Sequence, residues 1–545
     1  MLVVLCVALY GRVVTFDFVW DDYDLVADNP YLRQPGTPLR VFRSDFWALS
    51  QADSRSGMYR PLVTLSYWVE FRVFGRAPAP FHATNLLLHV GVCLLVLALA
   101  RRLGAPPWGA LLGAALFAAH PAQTEAVAAI ASRTDLLATL LLLGGVLLWL
   151  RPHRVRWVAL LLLFAAMLAK ESALVGPILV LFLAPHARPE APGGAPDEAP
   201  GDVPGGWRAL APLAVLPAYV ALRLAVLGVP ALGGAALRDT SGGLRCFRYA
   251  ARVLLPLPQP AIEPLERAAP LLVAASAVGI VLLVVLLVRR RASVFAALGA
   301  WFLVALAPVA EIVTIGVRFS DLMLYLPLVA LGHAAAGFVG VRPARWRYAL
   351  VAALVAAAAT VTTLRLPVWR DGVSLWSHGL RLDPHSPRML VNLGTALRAQ
   401  GRSLEGCQVL ARALAEIPGR PDADAHVRVL YNLGNCYRER GHLERAAAHY
   451  REALERSQGQ LEPAAQNLAV ALSQLGRDAE ALALVQGRVS RNPRLAPLWQ
   501  RQATLQARLG QRDEAIRSCA EALRLEPGNR EVAAMLETLR AGAAR

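Results

Sequence analysis

Lysine is nearly missing from this sequence: of its 56 basic side chains, Lys170 alone is not an arginine. A dense basic patch is missing too. Although the net charge is +17 and the pI is near 10.4, the arginines are scattered among apolar runs and amphipathic repeats, without the concentrated footprint of a nucleic-acid binder. No nucleic-acid partner is expected. Six cysteines (Cys6, Cys93, Cys246, Cys407, Cys436 and Cys519) form neither a CxxC pair nor a metal-ligand pattern, so no metal centre is expected from them. Cys6 and Cys93 lie in apolar runs and read as small hydrophobes. Cys407 and Cys436 fall on neighbouring amphipathic helices, where spacing leaves a disulfide open in an oxidising compartment. The N-terminus has no charged n-region and no small-residue cleavage site, so residues 1–16 read as a slightly short first membrane helix, not a removed signal peptide.

Apolar surface is what the chain has most of. Of its 545 residues, 56% are hydrophobic, and the mean hydropathy is +0.43, the composition of an integral membrane protein. Apolar runs stand at about 1–16, 83–100, 108–120, 135–150, 157–169, 172–184, 209–228, 270–288, 292–310, 323–340 and 348–366, about eleven spans in a cell-membrane, multi-pass arrangement. Arginine clusters at 100–102, 151–157, 288–292 and 341–347 follow alternate runs, as expected for cytoplasmic turns. By that rule the loops 17–82, 120–134, 229–268 and 311–322, the Lys170 turn and everything after 367 face away from the cytoplasm. The Pro/Gly/Ala-rich segment 187–206 reads as a flexible cytoplasmic linker.

Past residue 386 the pattern becomes amphipathic and periodic. Gly401, Gly441, Gly476 and Gly510 each separate two helical patterns at spacings of 40, 35 and 34 residues, close to the tetratricopeptide length. Pro418, Pro493 and Pro527 stop the second helices. The expected fold is all-α: a polytopic membrane helix bundle over 1–366, a half repeat and connector over 367–386, and an α-solenoid of about four repeats over 387–540.

Charged residues gather at the ends of the apolar runs. "FDFVWDDYDLVADNP" at 16–30 sets Asp21 beside Asp22. One of two adjacent carboxylates at an apolar boundary suits a general base; a solvated, helix-capping loop fits the residues equally. "HPAQTEAVAAIASRTDLLA" at 120–138 brings His120, Glu125, Arg133 and Asp135 to the next boundary. These read as functional intramembrane charges or as helix punctuation, and His120 with Glu125 lacks a complete metal-ligand set. Lys170 beside Glu171 reads as a cation for a departing phosphate or as a snorkelling side chain. Arg318 and Asp321 form a last boundary cluster with Glu311, where cations would stabilise charge on a leaving group. Asn392, Asn432 and Asn467 recur at one position of the first three repeats, with Arg501 in the fourth. They read as consensus asparagines or as amides lining a peptide-binding concave face.

The ordered set "VWDDYDLVADNP", "YRPLVTLSYWVEFRVFG", "FHATNLLLHV", "HPAQTEAVAAIASRTDLLA", "LAKESALVGP" and "LMLYLPLVALG", followed by the repeats, resembles the transmembrane and tetratricopeptide repeat-containing protein family, bacterial members as much as eukaryotic ones. That family is similar to protein O-mannosyltransferases of the GT-C glycosyltransferase superfamily. The resemblance implies a polyprenyl-phosphate sugar as donor substrate, with mannose as the sugar, and transfer to Ser or Thr of an extracytoplasmic protein held by the repeats. It places Asp21 and Asp22 at the catalytic position, and His120, Glu125, Arg133, Lys170, Glu171, Arg318, Asp321 and Tyr325 around donor sugar and phosphate. A divalent cation stays open. The family commonly reads acidic-Arg-x-x-Tyr-Leu-Pro where this chain has Asp321, Leu322 and then Tyr325-Leu326-Pro327. Leu322 cannot bind phosphate, leaving Arg318 and Lys170 for that task. Gln123 stands where the family has a second histidine. The alternatives are a membrane-anchored repeat scaffold for envelope proteins without catalysis, and a transferase acting on a glycan or lipid.

Overall fold

The computed structural model describes residues 1–50, 56–151, 155–187, 206–228, 249, 252–253, 294–306, 320–341, 344–419 and 423–541. The described residues contain helices and turns and no strand. The chain divides into two units, Met1–Gly379 and Leu380–Arg545, the break falling within the connector segment.

Ten of the apolar runs read from the sequence contain helix in the first unit; the run at 270–288 and most of the linker 187–206 lie outside the described residues. Four helical segments are long and apolar enough to cross a membrane: Pro78–Arg102, Ile130–Trp149, Leu210–Leu227 and Arg345–Trp369. The others are shorter, so this structure does not carry the count of about eleven spans. Pro107 opens a helix that ends at Ala119, just before Pro121. Its 13 residues rise about 20 Å against a hydrocarbon core of about 30 Å.

With no hydrophobic force between helices in lipid, close backbone approach must hold them together. The Pro107–Ala119 helix meets the Leu328–Val341 helix through glycine: a Cβ on Gly113 would stand 2.1 Å from the Gly332 carbonyl oxygen. Buried Thr362 donates to the Ala119 carbonyl at 2.6 Å, and Tyr10 donates to Ala118 O at 3.0 Å, tying the last and first helices to the same point.

The second unit pairs helices in sequence: Pro387–Ala399 with Ser403–Glu416, Ala423–Glu439 with Leu443–Arg456, Glu462–Gln474 with Asp478–Arg491, and Ala496–Arg508 with Arg512–Leu525. The further helix Arg530–Ala541 packs on the last pair. Gly401, Gly441, Gly476 and Gly510 adopt φ of 80°, 75°, 76° and 75°, the left-handed turn that a Cβ disfavours. Alanines at the crossings, including Ala446, Ala453, Ala481 and Ala515, are fully buried.

Cys407 on the first pair is bonded to Cys436 on the second, with Cα atoms 5.8 Å apart at a sequence separation of 29. Closing a loop of that length stabilises by about 3–4 kcal/mol in the chain-entropy account. Reduction of the full-length protein should therefore lower the melting temperature of the repeats by several degrees, and Cys436→Ala should reproduce the shift; a transition indifferent to reductant would show the two thiols unpaired.

Candidate functional site

Hydrogen bonds and ion pairs connect the charged residues near helix ends in the first unit. Most are paired there and shielded from solvent. Ion pairs are expected in such a setting, because an unpaired charge near hydrocarbon is costly.

Trp20 lies at φ 49°, an uncommon conformation for a bulky residue, and packs edge-on against Trp376 with ring centroids 5.4 Å apart. The tight turn this makes sends Asp22 inward. Asp22 is fully buried; its carboxylate accepts from Val19 N at 3.0 Å and from Ala131 N at 2.7 Å. Burial pushes its pKa up to about 7, against the pull of those backbone N–H groups and of Arg133. Asp21 keeps partial exposure. The two carboxylates that spacing could not distinguish thus differ: Asp22 joins the 19–22 turn to the 130–131 turn, and Asp21 stays accessible.

Arg133 does not stand open as a donor-phosphate cation. It has no exposed surface, and its guanidinium donates to Asn85 Oδ1 at 3.0 Å, Ser66 Oγ at 3.1 Å, Glu70 at 2.9 Å and Phe81 O at 3.0 Å. The Tyr67 ring lies 4.8 Å from its central carbon. Four of its five N–H groups are taken by protein acceptors. Lys170 is likewise engaged, donating to both oxygens of Asp135 at 2.7 and 2.6 Å. A crevice lined by Asp135, Thr139, Ser172 and Leu326 adjoins this pair. Glu171 accepts from Tyr59 N at 2.7 Å and Arg60 Nε at 2.9 Å, with Arg223 at 3.5 Å.

At the opposite side of the cluster, Glu125 accepts from Ser320 Oγ at 2.7 and 2.8 Å and from Leu322 N at 3.3 Å. Burial raises its pKa to about 7. His120 does not pair with Glu125: its Nε2 lies 3.1 Å from Val253 O, and its Nδ1 accepts from Ala122 N at 3.2 Å. Among the described residues, no group of three potential metal ligands includes either of them. Asp321 is held by Arg252 at 2.5 Å and Arg365 at 2.7 Å. Burial would raise its pKa, yet the two guanidiniums hold it below the usual carboxylate range. Arg318 lies outside the described residues. Tyr325 is fully buried, 2.8 Å from His89 Nδ1 and packed on Phe117, so it belongs to the core and not to an open donor pocket.

Two carboxylates, Glu171 and Asp321, therefore each face two arginines. Arg60, Arg223, Arg252, Arg365 and Glu70 were not singled out from the sequence. A signal existed for two of them: Arg223 interrupts the apolar run 209–228, and Glu70 is the single acidic residue of the Pro61–Phe74 helix. An ionisable residue in such a run is a site candidate by default.

In the repeats, Asn392 accepts from Arg428 at 2.8 Å and Asn467 donates to Asn435 at 2.8 Å, both between successive repeats. Asn432 donates to Arg428 O at 2.9 Å on its own helix. Two of these amides thus hold successive repeats together, and the third bonds to its own helix.

Comparison with known proteins follows the same division. Tetratricopeptide repeat models match residues 386–459 and 496–529. The C-terminal unit is a tetratricopeptide repeat array. Protein O-mannosyl-transferase TMTC1 of Mus musculus is 44% identical over 138 residues, 25% of this chain and 14% of that protein. Protein O-mannosyl-transferase Tmtc2 of Drosophila melanogaster is 40% identical over 184 residues, 31% of this chain and 20% of that protein. The chain is thus homologous to these transferases over part of its length, and the matches span a fifth or less of theirs. The solved structure of YrrB, a TPR protein with an unusual peptide-binding site, aligns with a TM-score of 0.27 at 17% identity, over 32% of this chain and 85% of its own.

The two raised carboxyls give a pH signature. Each binds its proton more tightly folded than unfolded, so its stabilising contribution is full below about pH 4 and is lost as pH rises through about 7. Buried His120, whose pKa burial lowers, acts in the opposite sense, so the signature is read as a difference between proteins. The melting temperature of wild type minus that of Glu125→Gln, whose amide can donate to Ser320 and accept from Leu322 N–H, should fall in detergent from about pH 5 to 8; a difference independent of pH would remove Glu125 as a source. Asp22→Asn behaves differently, since an NH2 group cannot accept and one buried N–H loses its partner, at about 1–3 kcal/mol. Calorimetry should record that loss, and an Asp22→Asn protein of unchanged stability would contradict the double-acceptor geometry.

Proposed function

We propose that this chain is a multi-pass membrane glycosyltransferase of the GT-C type, transferring mannose from a polyprenyl phosphate to Ser or Thr hydroxyls of a protein on the extracytoplasmic side. The observation that carries the reading is its local similarity to several proteins named protein O-mannosyl-transferase. The cluster of carboxylates and arginines at one membrane boundary supports it. Asp21 is the base: it takes the acceptor hydroxyl proton as that oxygen attacks the anomeric carbon, and the bond to the lipid phosphate breaks with its electron pair passing to the phosphate. Asp22 positions the turn that carries Asp21.

The cation absent at Leu322 is supplied by Arg365 at the end of the last membrane helix. Its side chain is 18% exposed, so its guanidinium can turn toward the phosphate as negative charge develops there. Sidedness draws support from the spacing of the arginine clusters along the sequence, at 100–102, 151–157, 288–292 and 341–347 after alternate apolar runs. The Cys407–Cys436 bond agrees with repeats in an oxidising compartment. In this reading the repeats hold the acceptor protein.

Asp21→Asn should abolish transfer in cells while the protein is still expressed and inserted in the membrane. The assay is mass spectrometry of envelope glycopeptides from a deletion strain complemented with wild type or with Asp21→Asn. A hexose on Ser or Thr restored only by wild type supports the assignment. Equal restoration by both removes Asp21 as the base, and a deletion that alters no glycopeptide favours the repeat scaffold or a lipid or glycan acceptor.

A further inference from the structure

Away from the charged cluster, the helix Leu2–Tyr10 packs against Pro78–Arg102 with Cys6 facing His89 and Cys93. His89 and Cys93 stand four residues apart, on one face of their helix. All three side chains are fully buried. One ligand atom from each lies within 4.8 Å of the other two, and Cys93 Sγ is 3.6 Å from His89 Nε2. A tetrahedral ion with bonds of about 2.3 Å to sulfur and about 2.0–2.1 Å to nitrogen sets sulfur and nitrogen about 3.6 Å apart, the separation found.

The far side of the imidazole is already held. Nδ1 lies 2.8 Å from the Tyr325 hydroxyl, the ring stacks on Phe117 at an interplanar angle of 26°, and Tyr10 meets it edge-on at 5.1 Å. A metal-ligating histidine characteristically has its second nitrogen fixed in this way. The chemistry of the donors narrows the ligand. Two sulfurs and one imidazole select soft or borderline d10 ions over Mg2+, Ca2+ or Mn2+. Charge narrows it in the same direction: Zn2+ with two thiolates, or Cu+ with one thiolate and one thiol, gives a neutral complex, which an apolar interior admits where a net charge is costly.

We propose that Cys6, His89 and Cys93 form a buried site for a thiophilic d10 metal ion, Zn2+ or Cu+, that clamps the first helix to the Pro78–Arg102 helix. The site is structural, is independent of the glycosyl-transfer reading, and makes Tyr325 the group that orients the histidine ligand.

The test uses full-length protein purified anaerobically in detergent through a tag that binds no metal, then exchanged in separate samples against Zn2+ or against Cu+ supplied as its acetonitrile complex, without reductant, so that the Cys407–Cys436 bond stays closed. Plasma mass spectrometry after gel filtration should find about one ion per chain in at least one of the two samples, and the sample that retains it identifies the metal. X-ray absorption at that metal's edge should show a sulfur shell at about 2.3 Å. The Cys6→Ser/Cys93→Ser double variant should lose the ion, and Cys519→Ser, a buried thiol in the repeats, should keep it. If the double variant does not fold, the wild-type absorption spectrum decides alone. Less than about a tenth of an ion per chain in both samples, a shell without sulfur, or full retention by a folded double variant would overturn the proposal.

Discussion

A guanidinium with no access to solvent holds the charged end of the membrane unit together. Arg133 donates to groups on the Pro61–Phe74 and Pro78–Arg102 helices at once, so neither helix can shift without stranding a buried positive charge. Removing one partner of such a pair costs more than the pair itself contributes, because the remaining charge stays desolvated. The same constraint explains the neighbouring pairs: Lys170 on Asp135, Arg60 on Glu171, and Arg252 with Arg365 on Asp321. Charges placed at helix ends beside hydrocarbon organise into a network, and that network sets what is left for chemistry.

What is left is limited in a useful way. Asp22 uses both oxygens to join two turns, and Arg133 has no exposed surface. Asp21, next to the left-handed Trp20, and Arg365, beside a carboxylate that two arginines share, keep partial exposure. A paired, buried inner layer thus carries a small, partly exposed outer one.

The repeat unit obeys a different rule. Its helices bury alanine and leucine against one another through short crossings, its turns use left-handed glycine, and its asparagines hydrogen-bond within and between repeats. A disulfide joins the first two pairs. Such an array gains stability from nearest neighbours, so its character was visible in a one-dimensional pattern.

Sequence alone determined the helical class, the apolar runs, the repeat register and the ends at which charge collects, because period, proline and glycine act over a few residues. Ten apolar runs proved helical where described, and the turn glycines lie where the 34- to 40-residue spacing put them. Only the tertiary structure decided which charges meet. Arg133 and Glu70 are 63 residues apart, Arg365 and Asp321 are 44, and His89 and Tyr325 are 236. Those partners depend on which helices lie side by side, and that is settled by contacts such as Gly113 on Gly332, between backbones that no local pattern brings together.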